Sequence, residues 1–223
     1  ISVATQIMKI VWPSKSISWE EFEYSEITPY TEALKSVAQG VIDTSTGNVD
    51  YLSTILPALV VLMPAVSSIE NIQKCEDIVN IAITNYPEYS KTVLVNYLLG
   101  IINQKKQNFA EAKKYFEVVY NLESDIFENQ IAYAKSLREN AEYSKAEEVL
   151  NSIDELNQNK VEVLKQKSYL AFEQNQLDSA ESYVAKVLQN NPGDLDFVLF
   201  RAKILIEKKD YIRAVSLLDM YER

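Results

Sequence analysis

The chain has 223 residues, of which 22 are Lys or Arg, 32 are Asp or Glu and none is His, so its net charge at pH 7 is −10. Negative charge of this size disfavours general binding to nucleic acid or to an anionic membrane. The lack of histidine excludes Ser-His-Asp and Cys-His catalysis and removes the commonest metal ligand. Only 4 glycines are present, which gives little support to a Gly-rich phosphate loop. We therefore expect no enzymatic activity, no cofactor and no metal site.

The sequence of residues 1–54 predicts an irregular helical region. The pattern Ser18-Trp19-Glu20-Glu21 is a capping box and indicates a helix that begins at Trp19. The dipeptide Thr28-Pro29 indicates a second helix start, with proline at the first helical position. Because the chain begins at Ile1 and not at Met, we expect that a signal segment, an anchor or the edge of a cloned fragment precedes it.

Residues 55–92 predict a degenerate pair of helices. The stretch from Ile55 to Val66 is apolar, but it contains two prolines and is shorter than the ~20 residues that span a bilayer, so it is expected to be a buried helix and not a membrane span. Asn85-Tyr86-Pro87 matches Asn190-Asn191-Pro192 later in the chain. This alignment puts Cys75, the one cysteine, at a position that later repeats fill with alanine, where it has a structural role.

Residues 93–223 contain a pattern that recurs every 34 residues. Alanine fills one column, and a small residue stands twelve positions before it. An aromatic residue or leucine precedes the alanine by three positions, and large apolar residues follow it by four and by seven. Each repeat supplies one residue to each of the five columns. Taken repeat by repeat, they are Gly100, Phe109, Ala112, Phe116 and Val119; Ala134, Tyr143, Ala146, Leu150 and Ile153; Ser168, Leu177, Ala180, Val184 and Val187; Ala202, Tyr211, Ala214, Leu218 and Tyr221. The columns predict four repeats, 93–126, 127–160, 161–194 and 195–223.

Each repeat is predicted to be two antiparallel helices joined by a short turn, because apolar residues recur at helical spacing on both sides of a polar break. The small residue in the first helix and the alanine in the second allow the two backbones to approach closely. The aromatic residue or leucine before the alanine is expected to fill the space at the turn. Glycine is expected to be scarce because short polar turns, which do not need it, join the helices.

This pattern resembles the tetratricopeptide repeat (TPR) family, which is built from 34-residue helix-turn-helix units. The resemblance implies an all-α fold, an α-α superhelix of TPR units preceded by the irregular helical N-terminal part. The sequence departs from the family at the early Trp column, which holds Asn96, Gln130, Leu164 and Val198.

The resemblance also implies a concave groove that binds a protein partner. In the family, groove residues come from the second, fifth, ninth, twelfth and thirteenth positions of each first helix. Here those positions supply Leu94, Tyr97, Ile101, Gln104 and Lys105; Ile131, Lys135 and Arg138; Lys165, Tyr169 and Phe172; Lys203 and Ile206. Aromatic and Arg side chains are the usual anchors of interfaces, although half of this set is equally expected to pack between neighbouring helices.

The function we expect is a non-enzymatic scaffold or adaptor that binds, and by binding stabilises, another protein. One alternative is a periplasmic TPR accessory component of a transporter that depends on a solute-binding protein. A hydrolase acting through a carboxylate pair is a third. The composition, heavy in Asn, Lys, Ile and Tyr, resembles that of a bacterial cell-envelope protein of the spirochaete type, so the periplasm or a membrane-associated envelope site is favoured over the cytoplasm.

The last predicted helix suggests self-association. Repeat arrays usually end in a polar capping helix, whereas here Val215, Leu218 and Tyr221 are predicted to align with buried columns and Leu217 to be uncovered. We therefore expect a partner, or a second copy of the chain in a homo-oligomer, to cover this end.

Overall fold

The computed structural model describes residues 55–221. The predicted helical region of residues 1–54 lies outside the described residues, so the helix starts at Trp19 and Pro29 stay predictions. No helix in residues 55–221 combines the length and the apolar character needed to cross a membrane.

All regular secondary structure in residues 55–221 is helical, which confirms the all-α prediction. The α-helices of this part are α1 (Ile55–Leu62), α2 (Ile69–Asn85), α3 (Val93–Lys105), α4 (Phe109–Leu122), α5 (Phe127–Glu139), α6 (Tyr143–Ser152), α7 (Val161–Glu173), α8 (Leu177–Asn190), α9 (Leu195–Glu207) and α10 (Tyr211–Asp219). Short 3₁₀ segments span Met63–Ala65 and Pro87–Lys91.

From α3 onwards the helices form four consecutive pairs, and the two helices of each pair pack against each other. The first helices of the pairs begin at Val93, Phe127, Val161 and Leu195, at intervals of 34 residues. The chain divides into two compact units, and the division falls between Leu122 and Glu123. The predicted partition into residues 1–54, 55–92 and 93–223 stays a prediction.

The first unit is held by an apolar core between α1, α2 and α3. Leu56, Leu59, Ile78 and Leu98 are fully buried in it. Cys75 belongs to the same core, and burial raises the pKa of its thiol to about 12, so the reactive thiolate is absent at neutral pH. This burial gives Cys75 a packing role.

In each pair, the small residue of the first helix corresponds to a larger apolar residue of the second helix. A β-carbon on Gly100 would lie only 2.7 Å from Cε1 of Phe116, whose ring is buried. At the same two positions the later pairs have Ala134 with Leu150, Ser168 with Val184, and Ala202 with Leu218. The small column is buried throughout, as the sequence pattern predicts, and the glycine accompanies the largest of the four partners.

Each first helix is followed by a residue in the left-handed conformation. These residues are Gln107, Ala141, Asn175 and Lys209, with φ values of 62°, 58°, 60° and 61°. The backbone N–H of the residue that follows then forms a hydrogen bond back to the helix. The N–H of Asn108, for example, donates to the carbonyl of Asn103 at 2.8 Å. This is the C-terminal capping geometry that glycine adopts at least cost. As expected, none of these four turns contains glycine: they adopt a conformation that favours glycine and fill it with other residues.

The second unit is built around the third and fourth pairs. Val184, Val187, Phe197 and Ile204 lie in its apolar core. A cluster of ion pairs joins α8 to the following helices, since Glu181 accepts hydrogen bonds from Lys208 at 2.6 Å and from Arg213 at 2.9 Å.

Several predictions for the last helix were wrong. Leu217 is buried, whereas Val215 is 57% exposed, because Val215 aligns with the charged column of Lys113, Glu147 and Glu181 and not with a buried one. Tyr221 aligns with buried residues but follows the end of α10, and it is 39% exposed. Tyr211, predicted to fill the turn, is 59% exposed.

Candidate functional site

The first helices of the second, third and fourth pairs bring cationic and aromatic side chains together in the second unit. We call this set the cation–aromatic face and define it as Arg138 of α5, Lys165, Tyr169 and Phe172 of α7, and Phe200 and Lys203 of α9. Spacings of three or four residues along α7 put Lys165, Tyr169 and Phe172 on one side of that helix.

The aromatic rings of the face form a continuous cluster. The centroid of the Tyr169 ring lies 4.8 Å from that of Phe200 and 5.3 Å from that of Phe197. The ring of Phe172 meets Phe200 edge-on, with the centroids 5.3 Å apart. Phe197 is buried, whereas the other three rings are partly exposed. Contacts of this kind fix the rings in place, so apolar surface is presented in a rigid arrangement.

Each cation of the face lies over a ring. The guanidinium carbon of Arg138 is 5.2 Å from the centroid of Tyr169, and the ammonium of Lys203 is 4.9 Å from that of Phe172. The ammonium of Lys165 lies 4.6 Å from the centroid of Phe197. Such positions are favourable because a cation is attracted to the negative face of an aromatic ring. The cations and the apolar surface therefore form one patch.

Carboxylates hold two of these cations. Lys165 donates to Asp194 at 2.7 Å, and this hydrogen bond holds the pKa of Asp194 below its usual range. Arg138 donates to Glu173 through one terminal nitrogen, while its buried Nε has no hydrogen-bond partner. Burial raises the pKa of the Tyr169 phenol, so this hydroxyl is neutral and available as a hydrogen-bond donor at physiological pH.

The other predicted residues of the second unit lie on the same helices as the face. Burial lowers the pKa of Lys135, whose ammonium is 3.9 Å from a carboxylate oxygen of Glu139. Ile131 of α5 is partly buried, and Ile206 of α9 is 48% exposed. The sequence-derived set therefore includes five of the six members of the face, and the structure brings those five into contact with one another or with a shared ring.

The predicted residues of the first unit have internal contacts. Leu94 and Ile101 pack against the core, and the ring of Tyr97 meets Phe116 edge-on with centroids 5.8 Å apart. Lys105 donates to the carbonyl of Val66 at 2.8 Å, and Gln104 is partly buried. These contacts stabilise the first unit, and a binding role for these five residues stays a prediction.

Sequence reasoning missed Phe200 and the acidic ends of the face. The spacing of Phe197 and Phe200, three residues apart, is the signal that could have identified the ring cluster. The second and thirteenth positions of α5, α7 and α9 hold carboxylates, which the predicted set omits. They are Glu128, Glu162 and Asp196 at the second position and Glu139, Glu173 and Glu207 at the thirteenth. The face therefore has a basic and aromatic centre between acidic ends.

Within residues 55–221 no three Cys, Asp or Glu side chains are arranged so that they could hold a metal ion. A shallow polar pocket lies between α6, α7 and α8, and Glu147, Lys167, Gln174 and Tyr183 are among the residues that line it. Lys167 donates to Gln158 at 2.6 Å there, and burial lowers the pKa of its ammonium.

Residues 171–223 match the family model of the tetratricopeptide repeat. This match covers the end of α7, all of α8 and the fourth pair, where the helices have the bounds and the 34-residue spacing described above. Residues 171–223 therefore belong to the tetratricopeptide repeat (TPR) family. No curated protein matches the sequence.

Solved TPR structures share this fold. A TPR protein from Parabacteroides merdae has 11% identity and a TM-score of 0.67, over 98% of this chain and 78% of that one. TTC0263 from Thermus thermophilus has 12% identity and a TM-score of 0.60, over 91% and 99%. YrrB, a TPR protein with an unusual peptide-binding site, has 19% identity and a TM-score of 0.54, over 83% and 90%. Identities this low establish the fold of the chain and leave its ligand open.

Proposed function

We propose that this TPR protein is a non-enzymatic scaffold that binds a segment of another protein at the cation–aromatic face. TPR arrays in general present binding surfaces to other proteins. YrrB has a peptide-binding site on the same fold, which supports a partner of this class. The observation that carries the proposal is the group of partly exposed rings, Tyr169, Phe172 and Phe200, with cations lying over them.

The chemistry of the face indicates what the bound segment contains. The rings offer apolar contact area at little conformational cost because each is already held by its neighbours. Lys203 is exposed and extends over Phe172, where it can receive a carboxylate from the partner. The expected segment therefore carries an apolar side chain that packs on the rings and an acidic side chain beside it.

Affinity capture from an extract of the native cell tests the proposal. The intact chain, with a photoreactive amino acid in place of Lys203, is expected to cross-link a protein, because this exposed side chain lies over the Phe172 ring of the face. The same group in place of Lys186, which is exposed on α8 beside Tyr183, serves as the control and is expected to give much less of that product. Equal cross-linking of one protein from both positions would contradict the location.

Once a partner is captured, substitutions measure the energetic role of the rings. Tyr169→Ala and Phe172→Ala are each expected to weaken binding by about 1–4 kcal/mol, the range for anchor residues. Tyr183→Ala is the matched control, since Tyr183 is a partly buried aromatic residue of the same unit that lies on a second helix. Amide hydrogen exchange checks that all three variants keep their helices. If both face variants bind as tightly as the parent chain, the interface lies elsewhere.

The alternative function, an accessory component of a solute-binding-protein-dependent transporter, makes a different prediction for the same capture. It requires co-purification of a solute-binding protein together with a small ligand. No feature of residues 55–221 specifically favours it. Retention of small molecules alone would contradict the scaffold proposal.

A further inference from the structure

The polar pocket between α6, α7 and α8 shares no residue with the cation–aromatic face. Its volume is about 70 Å³, which is room for about four or five water-sized groups, since one water needs roughly 15 Å³ of such space. Glu147, Lys167, Gln174, Ser179 and Tyr183 each contribute a polar side chain to its wall. The pocket therefore suits a small polar molecule.

The next junction along the chain, where α8 meets the fourth pair, shows what these positions hold elsewhere. Taken in the same order, the residues 34 places after Glu147, Lys167, Gln174 and Ser179 are Glu181, Arg201, Lys208 and Arg213. There the Glu181 carboxylate lies 2.6 Å from the ammonium of Lys208 and 2.9 Å and 3.7 Å from the guanidinium groups of Arg213 and Arg201. The positions that line the pocket thus form a closed cluster of ion pairs one repeat later.

The cluster of the later junction has further carboxylates that the pocket lacks. Asp178 and Asp210 form ion pairs of 2.7 Å and 2.6 Å with its cations. The earlier junction has Ser144 and Gln176 at these two positions. Two cations and two carboxylates of the cluster are therefore replaced by neutral side chains at the pocket, and one charge of each sign remains.

The two remaining charges, those of Lys167 and Glu147, are held apart. Lys167 donates to the side-chain oxygen of Gln158 at 2.6 Å, and Gln158 donates in turn to the carbonyls of Leu150 and Ile153 at 3.0 Å and 2.6 Å. An ammonium has three N–H donors, so Lys167 has two left for a ligand. Burial lowers its pKa, as expected for a cation with too little solvent around it. Within residues 55–221 no cation lies at ion-pair distance from Glu147.

We propose that this pocket binds a small zwitterion, a free α-amino acid, whose carboxylate accepts hydrogen bonds from Lys167 and whose ammonium donates to Glu147. The ligand then supplies one charge of each sign, as the additional side chains do in the next junction. The ammonium, α-carbon and carboxylate of an amino acid match the volume of the pocket, and its side chain extends through the open mouth. The hydroxyls of Ser179 and Tyr183 offer further hydrogen bonds. This site is independent of the partner at the cation–aromatic face.

Titration of the intact, ¹⁵N-labelled chain followed by NMR tests the proposal. The probe is L-alanine, at an ionic strength kept constant with NaCl because salt screens charge interactions. Saturable shifts of the amides of residues 174–179 are expected, with a Kd of about 1 mM, since a ligand of so few atoms binds with limited affinity. Acetate and methylammonium carry one charge each and are expected to bind at least about 10-fold more weakly. If either of them binds as tightly as L-alanine, the site is not zwitterion-specific and the proposal fails.

Substitutions locate the two charged contacts. Glu147→Gln and Lys167→Gln are each expected to raise the Kd of L-alanine at least about 10-fold. The matched controls are Glu148→Gln and Lys209→Gln, which make the same changes of charge at exposed side chains outside the pocket and are expected to keep the Kd of the parent chain. The same spectra verify that every variant is folded.

A second variant fills the pocket with the residues of the next junction. Gln174→Lys with Ser179→Arg places two long cations beside Glu147 and is expected to abolish the shifts caused by L-alanine. The proposal is overturned if the parent chain gives no saturable shift up to about 100 mM L-alanine. It is also overturned if the filled variant binds like the parent chain, or if the controls lose as much affinity as Glu147→Gln and Lys167→Gln.

Discussion

Replacing Ala141 with glycine is expected to stabilise the second unit. Ala141 joins α5 to α6 at a φ of 58°, where its β-carbon crowds the following carbonyl oxygen at a cost of about 1–2 kcal/mol. Glycine removes that cost but gives the unfolded chain more freedom, which subtracts roughly 0.4–1 kcal/mol. The expected net effect is a rise of about 0.5–1 kcal/mol in the free energy of unfolding.

Equivalent turns give a series and a control. Gln107→Gly and Lys209→Gly are expected to stabilise by similar amounts, since both residues have positive φ. Asn175→Gly is expected to change little, because asparagine tolerates the left-handed region. Ala132→Gly, in the interior of α5, is the opposite case and is expected to cost about 1 kcal/mol of helix propensity. The same substitution therefore has opposite signs nine residues apart.

Native-state amide hydrogen exchange is the assay, because a chain with two compact units need not unfold in one step and exchange reports each helix separately. Slower exchange throughout α5 and α6 in Ala141→Gly, with faster exchange in Ala132→Gly, is the expected pattern. If Ala141→Gly accelerates exchange as Ala132→Gly does, the turn is not held in the left-handed conformation and the reasoning is refuted.

Two further predictions concern single contacts. Gly100→Ala is expected to destabilise the first unit by about 1 kcal/mol, since overpacking against Phe116 costs ~1–3 kcal/mol and the gain in helix propensity is ~1 kcal/mol. Adding Phe116→Leu should restore urea stability, while Gly193→Ala, whose new β-carbon would lie 3.9 Å from Oδ1 of Asn191, should change nothing. Burial alone would raise the pKa of Glu181, but its hydrogen bond from Lys208 and the nearby guanidinium charges outweigh burial and lower it. Urea melts should therefore show that Glu181→Gln lowers the free energy of unfolding by about 1 kcal/mol at neutral pH. This difference is expected to disappear as the pH falls below the unfolded-state pKa of about 4.3 and through the lower folded-state pKa, where Glu181 becomes protonated.

The sequence predicts the helical pairs well because the signal is repeated. Four copies of one pattern locate the buried alanines and the small residues opposite them. The errors in the fourth pair have two different sources. Val215 is 57% exposed, as its charged equivalents Lys113, Glu147 and Glu181 indicate, so placing it among the buried columns was an error of alignment. Tyr211 is 59% exposed although its column predicts that it fills the turn, and a repeat pattern does not contain such a difference in cover.

Only part of the candidate site could be predicted from the sequence. The family positions identify Arg138, Tyr169 and Lys203, because they face one side of their helices. They omit Phe200, whose ring contacts both Tyr169 and Phe172. Contacts between successive first helices depend on the spacing of the helices in space, which a linear pattern does not contain. The same limit explains why Lys105, a predicted groove residue, instead binds the carbonyl of Val66.

The pairing of a small residue with a large one limits how repeats can be exchanged. Gly100 fits Phe116 because the ring occupies the volume that a β-carbon would take, and the other pairs divide the same volume differently, as Ala134 with Leu150 does. Transplanting a first helix from one repeat into another would therefore produce either a clash or a cavity, although each helix is well formed in its own repeat. The smallest interchangeable module of this chain is the complete helical pair.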